Sequence, residues 1–186
     1  MKKIPDVLTE QEQEQLLKVF NQRYWTGCRN KTMVKLFLNI GLRLSEMVSL
    51  QWTDVDMQTG QVKVRQGKGS KDRILWVSDD TLTDLQTWRQ RQTEKVNSKY
   101  VFSSRDGKQL KQRDVREMIY TYSEKAGKRI HPHTLRHSFA TDMYRVTRNI
   151  RMVQKALGHS DLSTTMIYTH IADSELEEAM KNFRNK

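Results

Sequence analysis

Cysteine is nearly absent: Cys28 stands alone among 186 residues. No intrachain disulfide and no cysteine-rich zinc site can therefore form, and a reducing compartment, the cytoplasm, is the expected setting. Proline (2) and glycine (8) are scarce, which argues against wholesale disorder. No apolar run approaches the roughly 18 residues that a membrane span requires. The opening stretch MKKIPDVLTEQEQEQLL carries charge with no apolar segment behind it, so neither a signal peptide nor a membrane anchor is expected. Acids are in the minority, 22 against 33 Lys and Arg, for a net charge of +11. What is present in quantity is core material and positive charge. Hydrophobic residues make up 36% of the chain and include Trp25, Trp52, Trp76 and Trp88, enough for one domain with a sizeable core. The surplus of cations favours a polyanionic partner, with nucleic acid first, because Lys and Arg neutralise phosphates and release their counterions.

Residues 8–25 open with Thr9 as an N-cap and Glu10 and Glu12 in the first turn. Leu16, Leu17, Val19 and Phe20 follow, a pattern that predicts a first helix. Gly27 and the polar Arg29-Asn30-Lys31 predict a break, and the apolar run from Thr32 to Ile40 predicts a buried helix ending at Gly41. Helical spacing resumes with Leu44, Met47, Val48 and Leu50, which puts Arg43 at a junction between two core elements and partly buried. From Gln61 the period changes to two: Val62 and Val64 alternate with Lys63 and Arg65, and Ile74-Leu75-Trp76-Val77 follows a glycine-containing linker. This predicts a β-hairpin. Its tip, Lys63 to Arg73, holds five basic residues and one acid. A helix over Asp79–Arg91 and a short strand at Tyr100-Val101-Phe102 are expected next. Helical patterns then run from Gln112 to the end, with breaks at Gly127, Gly158 and around Ala172. Between Arg105 and Lys155, 13 Lys and Arg stand against 5 Asp and Glu, so the basic face belongs to the middle of the chain.

Two clusters could carry chemistry. In His131-Pro132-His133-Thr134-Leu135-Arg136-His137, three of the five histidines fall within seven residues. If a helix starts near Thr134, His133 and Arg136 stand one turn apart on one face, where an imidazole and a guanidinium could address one small anion. A plain helix start with a surface Arg fits the same spacing, and zinc binding by the histidines fits it less well because no acid lies nearby. In the second cluster, Leu157-Gly158-His159-Ser160-Asp161, Gly158 ends one helix and the Ser/Asp pair starts another that leads to Tyr168. On spacing alone, Tyr168 reads as ordinary packing.

The ordered set of segments changes that. GLRLSEMVSLQWTDVD, the hairpin with GKGSKDR, HPHTLRHSFAT and LGHSDLSTTMIYTH closely resemble the four signature segments of the tyrosine recombinase, or phage integrase, family. The resemblance spans nearly the whole chain and corresponds to the family's catalytic domain. It implies an α+β fold, mainly helical with a small antiparallel β-sheet, as one domain over residues 1–186 without the family's separate N-terminal core-binding domain. The chain is then either a catalytic fragment or a naturally short member similar to the invertases that switch fimbrial promoters. The resemblance implies that Arg43 and Arg136 grip the scissile phosphate, that Tyr168 is the nucleophile, and that His133 and His159 complete the pocket. It makes Lys68 the general acid, with Lys71 and Arg73 as further DNA-binding cations of the hairpin. Glu46 is implied to buttress the pocket from behind, with a plain surface acid as the less favoured alternative.

This residue set suits phosphoryl transfer without a metal or another cofactor. Two fixed guanidiniums stabilise the charge that builds on the nonbridging oxygens. A phenol with an ordinary pKa near ~10 needs a positive pocket and a proton acceptor, for which His133 serves. The leaving 5′-oxygen needs the proton that Lys68 can deliver. The implied product is a 3′-phosphotyrosyl link and a free 5′-hydroxyl, and because the ester keeps the bond energy, no ATP is implied. The implied partner is double-stranded DNA, with a homotetramer on paired sites and no membrane, in a cytoplasmic protein associated with the nucleoid when bound. In the tail, 173–186, Leu176, Ala179, Met180 and Phe183 form an amphipathic stripe. Such a helix is exchanged between subunits in the family, and packing on its own domain is the alternative. Two other functions compete. A type IB topoisomerase shares the chemistry, and a noncatalytic DNA-binding regulator would use the basic helices alone.

Overall fold

The computed structural model describes residues 6–65, 72–158 and 180–181. Helix α1 (Glu10–Lys18) begins in a capping box: Thr9 Oγ1 accepts from the Glu12 N–H at 3.2 Å and the Glu12 carboxylate accepts from the Thr9 N–H at 2.8 Å. Helix α2 (Trp25–Ile40) then runs unbroken through Gly27, contrary to the break expected there; the real interruption lies before Trp25. Gly27 serves close approach instead, because a Cβ at that position would sit 1.9 Å from the Asn21 carbonyl oxygen. Helix α2 is the centre of the core, with Met33, Val34, Leu36, Phe37 and Ile40 buried, and it packs against α4 and α6. It ends on Gly41 in the left-handed region (φ 61°), directly beneath the Phe139 ring.

Helix α3 (Leu44–Ser49) and a single 3-10 turn (Trp52–Asp54) lead to the expected hairpin. Strand β1 (Gln61–Val64) pairs antiparallel with β2 (Arg73–Trp76), with Val64 opposite Arg73 and Gln61 opposite Trp76. The alternation turns Arg73 and Leu75 inward and leaves Ile74 and Trp76 exposed. Helix α4 (Asp79–Thr93) follows, capped by Ser78, and clamps the next loop: Trp88 Nε1 donates to the Val101 carbonyl, and Gln92 Nε2 donates to the Tyr100 carbonyl and to Ser103 Oγ. The expected strand at residues 100–102 is thus an isolated bridge, Gln51 with Tyr100, held to α4 by side chains rather than by a sheet.

Helix α5 (Gln112–Lys125) buries Val115 and Ile119 and stops before Gly127. Helix α6 (Pro132–Thr147) starts with Pro at its first position, where the missing N–H costs nothing, and ends at Arg148, a non-glycine residue at φ 52°. Asn149 then caps α7 (Ile150–Leu157) by accepting from the Arg151 and Met152 N–H groups. The sequence pattern gave no hint of this break between α6 and α7. Helix α7 ends on Gly158, as expected. Among the described residues the architecture is therefore mainly helical, with one two-stranded antiparallel sheet, and no helix is long and apolar enough to cross a membrane.

Candidate active site

The α2–α3 junction, α5 and the start of α6 enclose a cleft of about 600 Å³. Arg43 and Ser45 line it from the junction, Gln112, Arg116 and Tyr120 from α5, and His131, His133, Arg136 and His137 from α6. The structure thus brings Arg43, His133 and Arg136 together although 93 residues separate the two arginines. Lys68, Lys71, His159 and Tyr168 lie outside the described residues, as does most of the 173–186 tail.

Local folding explains the placement. The left-handed turn at Gly41 lets the chain reverse into α3, so that Arg43 occupies the N-cap of α3 with its side chain at the cleft. The Glu46 carboxylate, at N3 of the same helix, accepts from the Arg43 N–H at 2.7 Å and from Arg43 Nη1 at 3.0 Å. On α6, His133 is exposed while Arg136, one turn on, is buried at 5% exposure. Arg136 Nη1 donates to the Gly41 carbonyl at 2.5 Å and Nη2 to the Leu157 carbonyl at 2.7 Å.

The end of α7 is held by three guanidiniums on three consecutive carbonyls. Arg73 Nε donates to Ala156 at 2.8 Å, Arg136 Nη2 to Leu157, and Arg43 Nη2 to Gly158 at 3.2 Å. Cations suit this position, because the last carbonyls of a helix lack intrahelical partners and carry its negative dipole end.

Arg73 departs from the expectation of a DNA-binding cation at the hairpin tip. Its side chain is 7% exposed, and its fork makes two bonds to Glu46, Nη1 to Oε1 at 2.8 Å and Nη2 to Oε2 at 2.9 Å. The geometry commits it inward, and the physical reason is strand parity: Arg73 shares the inner face with buried Leu75 and Val77. The run Ile74–Val77 is apolar at every position, which hid the alternation. Glu46, conversely, is no surface acid, being 9% exposed at its side chain. Burial alone would push its carboxyl up, but the hydrogen bonds and charge of Arg73, with the Arg43 N–H and guanidinium, hold it down at about 2.

Burial also pushes the His137 imidazole below its ordinary value, and positive charge at His133 and Arg136 acts in the same direction. His137 is thereby biased toward its neutral form beside the Arg136 guanidinium. Two features of the cleft went unread in the sequence. Gln112, Arg116 and Tyr120 recur at four-residue spacing, a polar stripe legible in principle. The Tyr120 hydroxyl lies 2.8 Å from His131 Nδ1, a pairing across 11 residues that no local pattern announces. Among the described residues no three His, Cys, Asp or Glu side chains come together as a metal site.

Known proteins resemble both the sequence and the fold. Residues 6–175 match the model of the phage integrase family. The tyrosine recombinase XerA of Pyrococcus furiosus is 37% identical over 181 residues, which cover 97% of this chain and 62% of the relative. The tyrosine recombinase XerD of Staphylococcus saprophyticus is 37% identical, with 98% of this chain and 63% of the relative covered. The chain thus spans somewhat less than two thirds of the length of these relatives. A crystal structure of XerA recombinase superposes with a TM-score of 0.84 at 32% identity, covering 99% of this chain and 67% of the other. A structure of the XerH site-specific recombinase bound to a palindromic difH substrate, in a post-cleavage complex, gives 0.82 at 29% identity over 96% of this chain and 53% of the other. A match of this extent, on a fold that brings Arg43 and Arg136 to one cleft, makes the chain a member of the phage integrase family.

Proposed function

We propose that this chain is the DNA-breaking and rejoining part of a site-specific recombinase, acting on double-stranded DNA through a 3′-phosphotyrosyl link to Tyr168. The observation that carries the reading is the convergence of Arg43 and Arg136 on one cleft beside exposed His133. Two guanidiniums already held by carbonyls and a carboxylate need little reorganisation to meet a phosphate, and such preorganised charge is worth most as the transition state spreads negative charge over the nonbridging oxygens.

In this reading Tyr168 attacks phosphorus, His133 accepts the phenolic proton, and the bond from phosphorus to the 5′-oxygen breaks. Lys68, on the hairpin connection, protonates that oxygen, and His159 adds a donor to the phosphate. Rejoining is the reverse attack by a 5′-hydroxyl, from the same strand or from a recombining one. Glu46 fixes Arg43 from behind. Lys71 contributes charge toward the duplex. Exchange between sites calls for a tetramer on paired DNA, with the tail helix 173–186 passed between subunits, in the cytoplasm at the nucleoid.

The test is a denaturing gel for a covalent protein–DNA adduct on supercoiled plasmid at low salt. Wild type should give an adduct, or nicking and relaxation, and Tyr168→Phe should give none. Equal yields from both proteins would remove Tyr168 as the nucleophile.

A further inference from the structure

Arg73 is charged, nearly inaccessible and too deep to reach a duplex, so its place in the site needs another account. Its neighbours supply one. Both oxygens of Glu46 are shared between two arginines: Oε1 accepts from Arg43 Nη1 and Arg73 Nη1, and Oε2 from the Arg43 N–H and Arg73 Nη2. Four donors thus fill the acceptor capacity of one carboxylate. One negative charge cannot neutralise two guanidiniums, so the trio carries a net charge of +1. Arg73 is the buried member at 7% side-chain exposure and Arg43 the accessible one at 37%, which leaves the uncompensated charge on the side of the cleft.

Without Arg73 the balance changes. Glu46 would face Arg43 alone, the pair would sum to zero, and both carboxylate oxygens would draw the Arg43 fork toward the protein interior. We propose that Arg73 is a positioning residue: by occupying the buried side of Glu46, it keeps the Arg43 guanidinium net positive and aimed at a phosphate in the cleft. The same side chain joins β2 to the end of α7 through the Ala156 carbonyl, one residue before the carbonyls that Arg136 and Arg43 hold. This inference rests on the reading of Arg43 as a phosphate ligand.

The test compares wild type, Arg73→Gln and the double variant Arg73→Gln/Glu46→Gln, each checked for folding by its melting curve. Affinity for a fluorescein-labelled duplex is measured by anisotropy against salt concentration, and adduct formation on supercoiled plasmid is timed. Arg73→Gln should lower the slope of log K against log salt by about 0.9, one phosphate's worth, although the residue itself cannot touch DNA. Adduct formation should slow at least about tenfold, as when one preorganised donor is lost. The double variant returns the trio's net charge to +1 and should restore the slope. A residue that served only the fold would show no such rescue.

An unchanged slope in Arg73→Gln, or a loss that persists in the double variant, overturns the proposal. If Arg73→Gln does not fold, Arg73→Met, which removes the same charge while filling the buried space with an apolar chain, takes its place in the comparison, and the same two outcomes uphold or overturn the proposal. A wild type that forms no adduct while the slopes follow the expected pattern would refute the recombinase reading and leave the positioning role of Arg73 standing.

Discussion

Glu46 shows how a single carboxylate can make the site depend on pH. Its folded-state pKa of about 2 lies below the ordinary 4.5, so the stabilisation it contributes is fully present above pH 4.5 and is lost as the pH falls toward 2. Glu46→Gln should remove the part of the stability slope that lies in that window, as urea unfolding from pH 3 to pH 7 would show. At pH 7 the variant should be less stable by about 3 kcal/mol, because it leaves Arg73 buried without its counter-charge. A variant with the wild-type slope would place the acid titration elsewhere. At this scale the sequence was partly legible. Arg43, His133 and Arg136 stood out because signature segments of the family name them, and Glu46 for the same reason. Arg73 was misplaced because its role follows from strand parity and from a partner 27 residues away, neither of which a short motif records.

Among the elements, the turn from α2 into α3 bears most directly on function. Gly41 combines a left-handed backbone with an approach so close that a Cβ would lie 2.1 Å from Phe139 Cδ1. Its carbonyl also accepts from Arg136, and Arg43 follows two residues later. Gly41→Ala should therefore cost about 2–4 kcal/mol through backbone strain and overpacking, read as a lowered melting temperature. Adduct formation should fall further than that instability explains, because both arginines move with the turn. Helices α1, α4 and α5 and the hairpin were legible from caps and periodicity, which are local signals. Two breaks were not. Gly27 looked like a helix end but serves close packing against the Asn21 carbonyl, and α6 stops at Arg148, where no glycine or proline marks the turn. Residues 100–102 looked like a strand because their apolar side chains are buried, yet Trp88 and Gln92 take up their carbonyls in place of a sheet.

For the whole molecule, charge sets the expectation. A net +11, of which 13 − 5 = +8 lies between Arg105 and Lys155, predicts duplex binding dominated by phosphate contacts. This chain alone should bind DNA weakly and with little preference for sequence. Its affinity should fall by roughly a thousandfold between 50 and 200 mM salt if it makes six or more phosphate contacts. Anisotropy titrations on unrelated duplexes would check this, and a nanomolar, salt-insensitive complex would contradict it. The fold class was the most legible property of all, because the four signature segments run in order along nearly the entire chain.

The hold on the end of α7 has a consequence for reach. With Ala156, Leu157 and Gly158 each held by an arginine, the stretch that follows departs from a point fixed to the same arginines that line the cleft, Arg43 and Arg136. Tyr168 comes ten residues after Gly158, and a chain of that length extends at most roughly 35 Å. If Tyr168 is the nucleophile, as proposed above, its backbone lies within about that distance of Gly158. On that reading, a phosphate taken up by Arg43 and Arg136 would lie within the same reach, because both arginines also hold this helix end, so grip and delivery would share one origin.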